Sequence, residues 1–279
     1  MTTRTRRRPA HVGANLIAIA LCIIWVFPTY WMINTSFKTE GNITTPIPQF
    51  WPAPFTLDNY ARAFLKPGFL TSLGNSLLVG LSVVVVSIAF GFLAAAAVTR
   101  FRFHGRRSIL VGVLFVQMIP ATALLIPIFL AFKNAGLLNS YPGLIMAYVA
   151  TALPFSIWVL RGFFQGIPIE IEEAARVDGA GTVRVLWSIY FPLVAPGLVS
   201  TSVFAFIAAW NDYVMAYVML KDQVKYTLPV WLVSFSTDVG TDYGGLIAAS
   251  VLFALPVVVF FTIIQRNLVS GMSSGAVKG

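Results

Sequence analysis

Charge is what this 279-residue chain has least of. Asp, Glu, Lys and Arg make up 10% of it, where a soluble globular domain carries about 25%; 58% is hydrophobic and the mean hydropathy is +0.82. That excludes an ordinary water-soluble protein. Cysteine is nearly absent: Cys22 stands alone in an apolar run, so neither an intrachain disulfide nor a thiolate metal cluster is possible. The two histidines, His11 and His104, sit in separate basic stretches and form no site by proximity. Sixteen Pro and 21 Gly are too few for disorder or a fibrous repeat. Catalytic signatures are missing as well. The chain has no Gly-x4-Gly-Lys-Ser/Thr phosphate loop and no His-Glu-x2-His zinc pair.

What charge there is works as punctuation. Between the clusters lie charge-free stretches at 12–37, 67–99, 108–132, 134–160, 185–211 and 243–265. Each exceeds the about 20 apolar residues a helix needs to cross the hydrocarbon core. These six runs predict an all-α, polytopic membrane protein with six spans. A seventh charge-free run, 41–57, contains Pro46, Pro48, Pro52 and Pro54, which would leave backbone groups unsatisfied in lipid; it is expected as an irregular loop. The first span starts basic like a signal peptide. Its apolar run is too long, however, and ends in Pro28-Thr29-Tyr30-Trp31 without a small-residue cleavage site, so it is expected to stay.

Lys and Arg on alternate loops set the expected orientation. With the N-terminus inside, 13 fall on inner segments, including Arg4, Arg100, Arg161, Arg176 and Arg266, and 6 on outer ones: Lys38, Arg62, Lys66, Lys133, Lys221 and Lys225. This bias predicts both termini in the cytoplasm. It also accounts for the net charge of +9 without nucleic acid, since the excess base meets the anionic leaflet. The expected organisation is an N-terminal cytoplasmic segment at 1–11, a first span at 12–37 and an outer loop at 38–70. A five-span core at 71–266 follows, with a cytoplasmic loop at 162–192, and then a tail at 267–279.

That inner loop carries the most specific pattern. Gly166-Ile167-Pro168 precedes a helix with Glu170, Glu172 and Glu173 near its start, where they complement the helix dipole. Gly179 is a natural left-handed stop. A second helix follows, with Val183, Leu186 and Ile189 (or Tyr190) at helical spacing up to Pro192. By pattern alone this is either an amphipathic connector on the inner leaflet or a docking element. Glu173-Ala174-Ala175, three residues, Gly179, nine residues, Ile189, two residues, Pro192 resembles the signature cytoplasmic loop of binding-protein-dependent ABC importer permeases, with Phe191 where the family has Leu. Thr56-Leu57-Asp58-Asn59-Tyr60 and the tail 270–279 resemble the six-span, maltose-type subunit of the carbohydrate branch.

The resemblance implies a type I permease fold and a translocation subunit rather than an enzyme. It implies a paralogous second permease, two cytoplasmic ATPase subunits that bind ATP and Mg, and an extracytoplasmic sugar-binding protein, with no cofactor or metal in this chain. The setting would be a prokaryotic cell membrane, and the mechanism alternating access for a mono-, di- or oligosaccharide. ATPase coupling is expected at Glu173, Ala174, Ala175, Asp178, Gly179, Ile189 and Pro192. ATPase contact by the tail is expected at Ser274, Gly275 and Lys278. A permease for a polyol or glycerol phosphodiester stays open, as does a polytopic enzyme acting on lipid-linked sugars, although no catalytic cluster for the latter can be assembled.

In the fifth span Trp210-Asn211-Asp212-Tyr213 places an amide and a carboxylate about 15 residues past Pro196, roughly 22 Å along a helix. Aromatic faces beside polar groups suit sugars, which makes these four a candidate substrate path; an aromatic belt with a structural hydrogen-bond network is the alternative. Asn15, Asn75 and Gln117 read as hydrogen-bond glue between helices, and Pro120, Pro127 and Pro154 as kinks.

Overall fold

A computed structural model of the chain describes residues 12–273, and their side chains except at 12, 121 and 266–273. The segment 1–11 and the tail residues Ser274, Gly275 and Lys278 lie outside the described residues. The described chain is almost entirely helical, as expected. Its order is α1 (Val12–Ser36), α2 (Glu40–Ile43), α3 (Asp58–Leu65), α4 (Phe69–Arg100), α5 (Arg106–Met118), α6 (Ala121–Asn134) and α7 (Tyr141–Gln165). Then come α8 (Ile169–Val177), α9 (Thr182–Val185), a π turn at Leu186–Tyr190, α10 (Phe191–Leu193), α11 (Ala195–Asn211), α12 (Val214–Met219), α13 (Leu228–Leu232) and α14 (Tyr243–Ser273). Strands β1 (Ser236–Thr237) and β2 (Gly240–Thr241) pair as a two-stranded hairpin.

Helices α1, α4, α7 and α14 are each long and apolar enough to cross a membrane. The other two charge-free runs differ from single spans. The third breaks at Ile119–Pro120, and α5 and α6 meet at a bend of 108°. Proline supplies no N–H and forces the residue before it out of the helical region, and Ile119 accordingly takes an extended ψ of 123°. The fifth breaks at Val194, ahead of Pro196, and bends by 73°. Pro127 and Pro154 stay inside α6 and α7. Helix α14 runs on to Ser273, past the expected end of the span at 266.

The described residues form two compact units, 12–66 with 235–252, and 67–234 with 253–273. In the first, Asn59 organises the chain after α1. It is buried, and its Nδ2 donates to the carbonyls of Ser36 and Lys38, both at 2.8 Å. Arg62 donates to Asn59 Oδ1 at 2.6 Å and pairs with Asp242 at 3.3 Å. A Cβ on Gly244 would sit 2.3 Å from Asn59 Oδ1, so glycine there lets this clamp close. The stretch Thr56–Tyr60 thus has a structural job: Thr56 Oγ1 accepts from the Asp58 amide at 3.1 Å, and the Tyr60 hydroxyl meets Ser36 Oγ at 2.8 Å.

In the second unit α4, α7 and α11 pack together through small residues. Gly80 lies under the Phe206 ring and Gly91 against Ser156; a Cβ at either would stand 3.1–3.2 Å from its neighbour. Val83, Leu144, Leu160, Ala205 and Phe206 fill the core. Two buried hydroxyls return their hydrogens to their own helices, Ser156 to Ala152 O at 3.0 Å and Thr201 to Gly197 O at 2.9 Å. An apolar helix interface can carry such groups without an unpaired donor.

Candidate functional site

Helix α8 ends in a full left-handed cap. Gly179 has φ +78°; its N–H donates to Arg176 O at 3.0 Å, and the Ala180 N–H reaches back to Ala175 O at 2.9 Å. Nothing lies within 4 Å of where a Gly179 Cβ would be. The cap points Glu173, Ala174, Asp178 and Val177 into open space; Val177 is 87% exposed. Ala175 and Ala180 instead pack on a buried cluster of Phe92, Ala96, Leu160, Phe164, Tyr190 and Val194. The expected coupling residues therefore divide into a free face and an anchoring face. Ile189 joins the anchoring face, partly buried against the same cluster.

The second helix of the loop keeps its expected stripe at Leu186, Ile189 and Tyr190 and departs from it at its start. Val183 is 71% exposed, while Val185, Tyr190 and Val194 are buried. Their spacing is i, i+5, i+9. The π turn inserts one extra residue between Val185 and Tyr190, which shifts the buried face by a position that a 3.6-residue period misses.

The most connected acid of the loop is not Glu173. Glu173 is exposed, but its neighbour Glu172 is buried. Arg176 donates to Glu172 Oε1 through Nε at 3.1 Å and Nη2 at 2.7 Å, and the Tyr190 hydroxyl donates to Oε2. The Arg100 guanidinium lies 4.8 Å from the Tyr190 ring centre and donates to the carbonyls of Phe164 and Ile167, both at 2.7 Å. Burial alone would raise the Glu172 pKa. The hydrogen bonds from Tyr190 and Arg176 and the charges of Arg176 and Arg100 outweigh it, and the carboxyl sits below its ordinary value. The i, i+4 pair of Glu172 with Arg176 was visible in the sequence; the partners at Tyr190 and Arg100 were not.

The Trp210–Tyr213 stretch separates in the same way. Trp210 is 1% exposed, stacks between Phe206 and Phe253, and donates its indole N–H to Phe253 O at 3.2 Å. It offers no face to a ligand. Asn211 is exposed, and Tyr213 stacks on Tyr217 at 5.3 Å. Asp212 borders a cavity of about 240 Å3 together with Tyr148, Thr122, Thr151 and Met215. Its Oδ1 accepts from the amides of Met215 at 3.0 Å and Ala216 at 3.3 Å, and from the Tyr148 hydroxyl at 3.0 Å. The acid caps the start of α12 where the fifth span stops. Tyr148, from another span, carried no signal in the sequence.

Asn75 also differs from simple helix glue. It donates to the carbonyls of Val224 and Tyr226, both at 2.9 Å, and accepts from the Tyr141 hydroxyl at 2.7 Å, tying α4 to the loop before α13.

Residues 87–274 match the family described as the binding-protein-dependent transport system inner membrane component. The chain belongs to this family. It is a multi-pass permease subunit with the type I importer fold. Among its relatives, the diacetylchitobiose uptake system permease protein of Streptomyces coelicolor is 41% identical over 96% of this chain and 98% of its own. The trehalose/maltose transport system permease protein of Thermococcus litoralis is 36% identical over 94% of this chain and 95% of its own. A solved bacterial ABC transporter involved in the import of the acidic polysaccharide alginate includes a chain with a TM-score of 0.80 and 26% identity, covering 95% of this permease and 98% of that chain.

Proposed function

We infer that this permease imports a mono-, di- or oligosaccharide by alternating access. The relatives supply the main support: three transporters whose names specify diacetylchitobiose, trehalose or maltose, and alginate align over nearly the whole permease. In this reading it pairs with a paralogous permease, and an extracytoplasmic binding protein delivers the sugar. Two ATPase subunits, binding ATP and Mg, dock on the free face of α8 at Glu173, Ala174, Asp178 and Gly179. Ile189 and Pro192 set the second helix of the loop behind it. The tail residues Ser274, Gly275 and Lys278 make a further contact with the ATPases. In this reading α8 and both termini lie in the cytoplasm, which the basic bias of 13 to 6 supports.

Asn211, Asp212 and Tyr213 are the candidate path. Asp212 is the strongest of the three, because it borders the cavity and the hydrogen bonds to its Oδ1 leave Oδ2 available to a hydroxyl. ATP drives the cycle through its different affinities for the inward- and outward-facing states. The test is uptake by proteoliposomes holding the assembled complex and its binding protein, against a panel of saccharides, polyols and glycerol phosphodiesters. ATP-dependent accumulation of a saccharide is the expected result; accumulation of only a phosphodiester or polyol overturns the substrate assignment.

A further inference from the structure

Helix α8 is joined to its neighbours by chain that bends easily, with Gly166 before it and Gly179 and Gly181 after it. Those joints would absorb a displacement imposed on its free face unless α8 were also held from the side. The lateral hold is a chain of directional polar contacts. Arg176 and Tyr190 both donate to the buried Glu172, Arg100 lies over the Tyr190 ring, and Arg100 donates to the carbonyls of Phe164 in the last turn of α7 and of Ile167 just beyond it. Arg100 is itself the last residue of α4. The series therefore runs from α8 through the π turn to the ends of two spans.

Two further observations separate this hub from ordinary packing. First, the π turn brings Tyr190 to Glu172; π turns are rare and are found frequently at functional sites. Second, the Arg176 side chain is half-exposed, and an ion pair of that kind adds little stability, which leaves orientation as its contribution. We propose that Glu172, Tyr190 and Arg100 are positioning residues that make α8 move as one body with the ends of α4 and α7, so that ATPase motion reaches the spans.

This rests on the reading of α8 as the ATPase-docking helix, and the experiment separates the two. The full complex is reconstituted with its binding protein, and sugar imported per ATP hydrolysed is measured for Tyr190→Phe, Glu172→Met and their double variant. Tyr190→Phe keeps the ring that packs on Phe164 at 5.3 Å and loses only the hydroxyl. Both variants are expected to retain their ATPase subunits, while sugar moved per ATP falls about tenfold, the scale of one charge-assisted hydrogen bond. The double variant should be no worse than the weaker single one, since all three cut one link. A native ratio in both single variants overturns the hub alone if Glu173→Lys uncouples the complex. It overturns the docking reading as well if Glu173→Lys is silent. Fully additive losses also overturn it, because independent contacts do not form one link.

Discussion

The Tyr148 hydroxyl donates to Asp212 Oδ1 at 3.0 Å, joining α7 to the point where the fifth span stops. The same oxygen accepts two amides of α12. An acid in an apolar run is thereby satisfied without a cation, and it seats a helix start beside a cavity.

Asp212→Asn keeps a carbonyl oxygen for all three donors and removes the charge. It should fold and assemble at native yield while sugar uptake falls about tenfold if the carboxylate meets sugar hydroxyls. Asp212→Leu leaves two amides unpaired, leaves the Tyr148 hydroxyl only its 3.5 Å contact with the carbonyl of residue 212, and should lose about 1–3 kcal/mol of stability. Uptake kinetics and melting of the purified complex separate the two effects, and native uptake by the Asn variant would remove Asp212 from the sugar path.

At Gly179 the left-handed φ is the whole local constraint, because no neighbouring atom is close. Gly179→Ala should cost about 1 kcal/mol of local stability and still insert normally. Gly179→Asp adds a charge on the proposed docking face, and combined with Glu173→Lys it should release the ATPase subunits from an otherwise intact permease. Subunit stoichiometry after affinity purification is the measurement. A fully bound and transporting double variant would sink the docking assignment.

Glu172 gives the loop a pH dependence of fixed sign. Its folded pKa lies below the ordinary value of 4.5, so its contribution is complete above 4.5 and is lost as the pH falls from there through the folded pKa. Amide exchange in α8, corrected for intrinsic rates, should accelerate on acidification below about 4.5 in the native chain. In Glu172→Gln that component should vanish. Equal pH profiles in the two proteins would show that the carboxylate does not hold α8.

Asn139 locks the loop before α7 to the loop after α12. It sits at φ 55°, donates to Asp222 at 2.7 Å, and accepts from the amides of Lys221 at 3.0 Å and Asp222 at 3.1 Å. The Asn139 bond, with that of Lys225, holds the Asp222 carboxyl below its ordinary value. Asn139→Gly keeps the left-handed backbone, loses only the side-chain bonds and should lower the melting temperature. Asn139→Ala should lose about 1 kcal/mol more from left-handed strain. Thermal melting ranks them, and equal values would place the effect in the side chain alone.

Orientation is checked with single cysteines in a Cys22→Ala background. Positions 48, 104 and 224 are all exposed. Impermeant thiol reagents applied to intact cells should label 48 and 224 and spare 104. Labelling at 104 alone would invert the topology.

The sparse charge determined much of this protein by itself, because lipid admits few ions and a span needs a fixed length of apolar chain. All six charge-free runs hold a helix or a bent helix pair, and Gly179 takes the left-handed turn that its place after α8 required. Local signals of this kind survive without knowledge of the neighbours. Only the tertiary structure decided which faces are used. Periodicity placed Val183 in a buried stripe with Tyr190 as one possible member; Tyr190 is buried, but across the π turn the position that joins it is Val185 and not Val183. Aromatic character made Trp210 a sugar platform, but α14 brought Phe253 against it and closed it off. Glu172 matters more to the loop's architecture than the exposed Glu173, because Tyr190 and Arg100 converge on the first and not the second. Those partners lie 18 and 72 residues away, and no spacing within one helix encodes a meeting between different helices.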